Sequence, residues 1–342
     1  MSSTKELIEQ LLPSVNIKLH YGYYKLFYKT MYERMKIWER RNIQKRPFPW
    51  TDNPILRDYK YTNVYRELDR SSQWQINNIL LKYKELGNVE NFIWKLMVYR
   101  MFNSWQSFNY LQETYGFVGG IPDYEDYDEE EFLKMLKEVR AAGINPFTNA
   151  YLLYSGDGGE INTRDEYYVY RGIRGMRAKF DSGLVDLIQT AETPEQIIEE
   201  LKQIPTVAAF IAHEYYQDFT YIPIYTDLEV MRFTQNDYTN VGPGASFGIR
   251  LIFPSLTKKE QKQAIYTLRD EAARMLEKTA VESGDNYVPY VRWNKQTKKY
   301  EIIDCCNITL HQVEMWLCEF SKYWKMMYKV GKQRSVYKTN TI

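Results

Sequence analysis

A mostly α-helical fold with one small β-hairpin near the C-terminus is what the sequence predicts, on three observations. Apolar residues recur at three- and four-residue spacing through most of the 342 residues. Helix start and stop residues punctuate those stretches. One pair of alternating segments, 288–293 and 299–303, flanks the turn Asn294-Lys295-Gln296-Thr297, which is the pattern of a hairpin.

The elements follow in order. A short helix is expected over 5–12, after Ser3 or Thr4. Residues 20–41 carry Tyr24, Phe27, Tyr28, Met31 and Met35 near helical spacing and end basic, which suits the negative end of a helix dipole. Pro47, Pro49 and Pro54 then force an extended crossing. A long helix is expected over 63–86. Residues 91–102 are apolar enough to read as a buried helix, and 105–115 as another that stops at Gly116. Residues 128–142 start acidic and stop at Gly143. Residues 146–154 read as helical and run into Gly156-Asp157-Gly158-Gly159, a loop without the lysine of a phosphate cradle. Helices are expected over 163–180, 183–190, 194–203 and 207–218, with Thr193 as a cap and Pro194 in the first position of the third. Gly242-Pro243-Gly244-Ala245 opens a helix to 253, and helices over 258–282 and 309–327 complete the series before a basic tail. With no linker and no internal repeat, residues 1–342 are expected to form a single domain with its core at about 20–335.

Composition limits the function. The 44% hydrophobic and 26% charged residues are those of a globular chain. A net charge of +1 gives no global basic signature, so a nucleic-acid partner needs a local patch. The aromatics are abundant (31 Tyr, 15 Phe, 8 Trp), and such rings serve a core or stack on bases. Three cysteines, two of them adjacent, make no disulfide framework, and a cytoplasmic location is expected. No apolar run approaches a membrane span, so no membrane partner is expected. There is no GxxxxGK[ST], GxSxG or HExxH motif and no CxxC pair. Neither a cofactor nor a metal is expected, since Cys305, Cys306, Cys318 and His311 make a poor ligand set. Oligomeric state is not legible.

The most organised polar stretch runs from Trp50-Thr51-Asp52 to Gln73. On a continuous helix Asn63, Arg66, Arg70 and Gln73 would share one face. Arg66 and Arg70 repel there unless an anion joins them: Asp52, Asp69, Glu319 or a phosphate. Pairs such as Arg66 with Asp69 would instead make a solvated face. Gly242 and Gly244 stand where backbone N–H groups can meet an anion, or where helices pack closely. Asp218, read as closing an apolar helix, and Asp237, five residues before the glycine turn, are the carboxylates singled out for chemistry. Glu319 and Lys322 lie on the last helix, followed by Lys329, Lys332, Arg334 and Lys338, a candidate strip for nucleic-acid backbone.

Taken in order, the Trp50–Arg70 string, Met101-Phe102-Asn103, Ile211-Ala212-His213 to Asp218, the Gly242–Gly248 turn and Cys318-Glu319-Phe320-Ser321-Lys322-Tyr323 resemble a known set. They look like the helical domain of the phage 5-hydroxymethyluracil DNA kinase and the α-glutamyl/putrescinyl thymine pyrophosphorylase group. The resemblance implies a helical DNA-glycosylase-like domain, related to helix-hairpin-helix glycosylases. Kinases of that group carry a separate P-loop domain, so the motif survey points away from a kinase role. The hairpin of such glycosylases usually reads Leu-Pro-Gly-x-Gly. Ile204-Pro205-Thr206-Val207-Ala208 lacks both glycines, which moves the phosphate-binding expectation to Gly242 and Gly244.

The resemblance implies as partner a DNA containing modified pyrimidines, in a host or phage setting. The leading expectation is a monofunctional DNA N-glycosylase that flips out and excises a hydroxymethylated or glycosylated pyrimidine. Asp218, then Asp237, would stabilise the charge developing on the sugar or activate water. Asp52, Asn63, Arg66, Asp69, Arg70, Gln73, Asn103, Gly242, Gly244, Glu319 and Lys322 would hold base or backbone. One alternative is a transferase that attaches an amino acid or polyamine to activated 5-hydroxymethyluracil in DNA. Another is a module that only binds modified DNA.

Overall fold

The computed structural model describes residues 18–148, 161 and 163–331. The short helix expected over 5–12, most of 146–154, the Gly156–Gly159 loop, and Lys332, Arg334 and Lys338 lie outside the described residues. The fold is helical as expected, with a single two-stranded antiparallel hairpin among the described residues. By internal contacts the chain divides into two compact units: residues 1–66 with 235–342, and residues 67–234.

In the first unit the helix Tyr21–Asn42 starts at His20, whose ring nitrogen accepts from the Tyr23 N–H at 3.3 Å. Its buried stripe is aromatic, and the hydroxyls find partners. Tyr24 donates to Glu271 at 2.8 Å and Tyr28 to the Leu268 carbonyl at 2.6 Å. After the prolines comes a short helix, Pro54–Asp58, that the sequence reading lacked. Asn53 caps it, its Oδ1 accepting from the N–H groups of Ile55 and Leu56. Pro243–Ile252 packs closely on Leu310–Met327. A Cβ on Gly248 would stand 2.5 Å from the Leu317 carbonyl oxygen, so only glycine permits that approach. The helix expected over 258–282 is two, Lys258–Asp270 and Ala272–Glu282. The hairpin pairs Tyr290–Asn294 with Lys299–Ile303, Tyr290 opposite Ile303.

The second unit is built around Val89–Phe102, buried on every side from Asn91 onward. Such a helix needs neighbours all round, and Ala209–Tyr225 is one of them. Glu129–Ala141 is capped by Asp128, and Pro194–Leu201 by the reciprocal pair Thr193 and Gln196. Arg164–Tyr167 continues through a π-helical turn, Tyr168–Ile173, into Arg174–Asp181.

Two expected elements need correction, and both bear on the site. The helix expected over 63–86 is a 3-10 turn Arg66–Leu68, a helix Arg70–Asn78 and a 3-10 stretch Leu80–Glu85. Asp69 has the extended backbone of a helix cap (φ −74°, ψ 148°). Asn63, Arg66, Arg70 and Gln73 therefore do not share a helix face. Asp is among the preferred N-cap types, so Asp69 was the signal that could have located this start. The helix expected to end at Asp218 runs to Tyr225, with Pro223 inside it.

Candidate functional site

Each unit carries its own cavity. In the first, a cleft of about 670 Å³ is lined by Lys29, Arg46, Trp50, Asp52, Asn53 and Tyr323, among others. Trp50 is fixed at both ends: its indole N–H donates to the Arg46 carbonyl at 2.9 Å, and Arg40 donates to the Trp50 carbonyl at 2.7 Å. Asn53 spends its side-chain oxygen on the cap and its nitrogen on the Tyr323 hydroxyl at 3.0 Å. Asp52, between these anchored neighbours, is exposed, and its carboxylate has no ion pair or hydrogen bond among the described residues. It is thus a carboxylate without a hydrogen bond, between neighbours that are themselves bonded. Lys29, Arg46 and Tyr323 were not foreseen in this cleft, because they come from elements distant in sequence.

Glu319 is buried beside this region and accepts from Lys322 at 2.6 Å, so the two predicted residues satisfy one another. Burial, together with the Glu319 charge, raises the Tyr61 hydroxyl far above its ordinary range. Asn63 and Arg66 belong to the same unit and do not line the cleft. Asp237 is exposed, in the turn ahead of Pro243–Ile252.

The glycines are explained by packing. A Cβ on Gly244 would lie 2.9 Å from Cys318 Sγ, against the last helix. Gly242 is open, but a Cβ there would be 3.9 Å from the Glu314 carboxylate, a poor surrounding for a phosphate. Close packing on the last helix thus accounts for Gly244 in place of anion binding, and Gly242 stands beside a carboxylate.

In the second unit Asp218 proves to be interior, 1% exposed. Arg100 grips it with two bonds, Nε to Oδ2 at 2.7 Å and Nη2 to Oδ1 at 2.5 Å. Gln75 donates to Oδ2 at 3.0 Å and accepts from Arg100 at 3.1 Å, and Glu214 lies 3.4 Å from Arg100. Burial pushes the Asp218 carboxyl up, while Arg100 and Gln75 pull it back. A carboxylate whose two oxygens are taken inside the protein is a structural ion pair. Sequence reading missed Arg100 because nothing local ties it to a residue 118 positions away.

The second cavity, about 490 Å³, brings together two predicted residues, Arg70 and Asn103, with Ser71, Ser104, Trp105 and Gln106 on its wall. Asn103 ends the buried helix in the left-handed region (φ 49°), which asparagine tolerates better than most residues. The Ser71 hydroxyl donates to its Oδ1. The Arg70 guanidinium is 5.8 Å from the centre of the Trp105 ring. Gln73 is turned away, donating to the Glu67 carbonyl at 2.6 Å, and Asp69 stands at the N-cap position, making no side-chain cap bond and not lining the cavity. Among the described residues no group of His, Cys, Asp and Glu stands in a metal-holding arrangement, and no helix is long and apolar enough to cross a membrane.

A family model described as "5-hmdU DNA kinase, helical domain" matches residues 22–333. A curated relative, the "5-hmdU DNA kinase" of Bacillus phage SP10, is 28% identical over 307 residues, covering 87% of this chain and 44% of the relative. The chain thus spans less than half of that protein's length. No solved structure matches. The resemblance drawn from the ordered motifs is shown. The expected hydrolytic N-glycosylase is overturned by the same finding, since the relative is named a kinase, which is a transferase.

Proposed function

We propose that this chain, which belongs to the 5-hmdU DNA kinase helical-domain family, receives DNA bearing 5-hydroxymethyldeoxyuridine and holds the modified base for group transfer to its hydroxymethyl oxygen. The observation that carries this reading is the family match across residues 22–333, with a phage relative named for that substrate and reaction. The chain's own contribution is placed in the cleft of the first unit. A volume of about 670 Å³ is within the range of small-molecule sites. Trp50 and Tyr323, both buried, give the cleft an aromatic wall, and Lys29 and Arg46 offer charge to the strand. Asp52 supplies the one chemical element the reaction needs from a side chain. The hydroxyl that attacks the donor's phosphoryl group must lose its proton as the bond to the donor's leaving group breaks, and a free carboxylate within hydrogen-bond reach accepts that proton.

The test is binding of two otherwise identical DNAs that carry 5-hydroxymethyldeoxyuridine or thymidine at one position. The expected result is tighter binding of the modified DNA, with the preference lost in Asp52→Asn while binding itself remains. Equal affinity of the wild-type chain for the two DNAs sinks the reading.

A further inference from the structure

The cavity of the second unit differs in kind from an ordinary polar surface pocket, on three counts. First, two helices begin on its wall. Arg70 and Ser71 open Arg70–Asn78, and Trp105 and Gln106 open Trp105–Tyr115 just after Ser104. The first-turn N–H groups of a helix have no partner within it and sit at the positive end of its dipole. Second, Asn103 is only 8% exposed, yet half of its amide is unused. Its Oδ1 accepts from Ser71, and no hydrogen bond among the described residues reaches its Nδ2. That N–H₂ opens into the cavity from a side chain otherwise enclosed by the protein, where it can donate to an acceptor that enters. Third, no Asp or Glu lines this cavity among the described residues, and Arg70 has no carboxylate partner there. The first unit's cleft, in contrast, has Glu33, Asp52 and Asp285 on its wall.

A cavity rich in donors, with Arg70 as a guanidinium and no carboxylate among the described residues that line it, calls for an anion with several acceptor oxygens. The half-buried Trp105 ring adds a flat apolar face beside that guanidinium. We infer that this cavity binds the phosphate of a nucleotide, with Arg70 and the Asn103 amide on its oxygens and Trp105 against the attached ring. The nucleotide comes either from a DNA strand or from solution, and the chemistry of recognition is the same. This assignment does not rest on the role given to the first unit's cleft.

The experiment measures anisotropy of a fluorescein-labelled oligothymidine strand on the full chain, with dTMP, thymidine and inorganic phosphate as competitors. Arg70→Gln removes an exposed cation. Asn103→Asp keeps the acceptor for Ser71 and the left-handed backbone but turns the free donor into a negative oxygen. Each variant is expected to weaken binding by about tenfold or more, the scale of one charge-assisted hydrogen bond. The loss should be the same for thymidine and 5-hydroxymethyldeoxyuridine strands, which separates it from the test of the first cleft. Competition by dTMP at the strength of the strand assigns the site to a free nucleotide, and competition by the strand alone assigns it to DNA. The inference is overturned if the wild-type chain binds no phosphate-bearing probe, or if thymidine competes as well as dTMP. It is equally overturned if Arg70→Gln binds within about twofold of wild type, whatever the folding of Asn103→Asp.

Discussion

Arg100 and Arg70 belong to the same compact unit and meet opposite fates. Arg100 is buried, with two bonds to Asp218 and others to Gln75 and Glu214. Arg70 is exposed on the wall of a cavity lined by no carboxylate among the described residues, beside a tryptophan ring and a half-used asparagine. The lesson is that a charged side chain is informative when its partner is lacking, not merely when it is buried. A buried, fully paired carboxylate attracts attention in a sequence, but its bonds are committed to holding two helices together.

This contrast can be broken most severely at Asp218. Asp218→Ala leaves the Arg100 guanidinium inside without its main counter-charge, and loss of one partner in such a pair costs about 3–5 kcal/mol. Glu214, 3.4 Å away, holds the expected cost near the lower end. Urea denaturation would show it as a lowered midpoint, and an unchanged midpoint would remove the structural role given to this pair.

A smaller effect comes from His213, one turn before Gln217 on the same helix and hydrogen-bonded to it at 3.0 Å. Burial pulls its pKa from 6.5 down to about 4. A histidine depressed in the folded state favours folding while neutral. Its contribution is therefore complete above pH 6.5 and is lost as pH falls toward 4. The slope in that window is at most about 1.4 kcal/mol per pH unit for one proton. Stability measured across it should flatten in His213→Gln, and a parallel curve would show that the histidine is not responsible.

The smallest effect is the sharpest test of the comparison. Arg70→Gln should change stability by no more than about 0.5 kcal/mol, as for an ordinary surface position. A large loss in thermal midpoint would mean that Arg70 is structural like Arg100, and the distinction between the two would collapse.

How much was legible in the sequence varies with the range of the interaction. Residues 105–115 were read to the residue, since Gly116 (φ 76°) is a stop signal within the chain itself. The start at Thr193-Pro194 was read as closely, and the hairpin was read with its second strand in place and its first shifted from 288–293 to Tyr290–Asn294. Of the candidate site, Arg70, Asn103 and Asp52 were named from the sequence, though the first two for a helix face and a motif that did not describe their setting. Their neighbours Trp105, Gln106, Arg46 and Lys29 were missed, because a cavity wall gathers residues that no short period relates.

By itself, the sequence determined what nearest neighbours along the chain decide: which segments are helical, where most are capped, and the ordered motifs that place the chain in its family. Tertiary structure decided what those residues are for. Asp218 became interior because Arg100 came to meet it across two helices. Gly244 and Gly248 became packing contacts because the last helix lies against them. The arginine face ceased to exist because Asp69 adopts an extended backbone. Local preferences act over a few residues, whereas burial, pairing and cavity shape depend on groups a hundred or more residues apart.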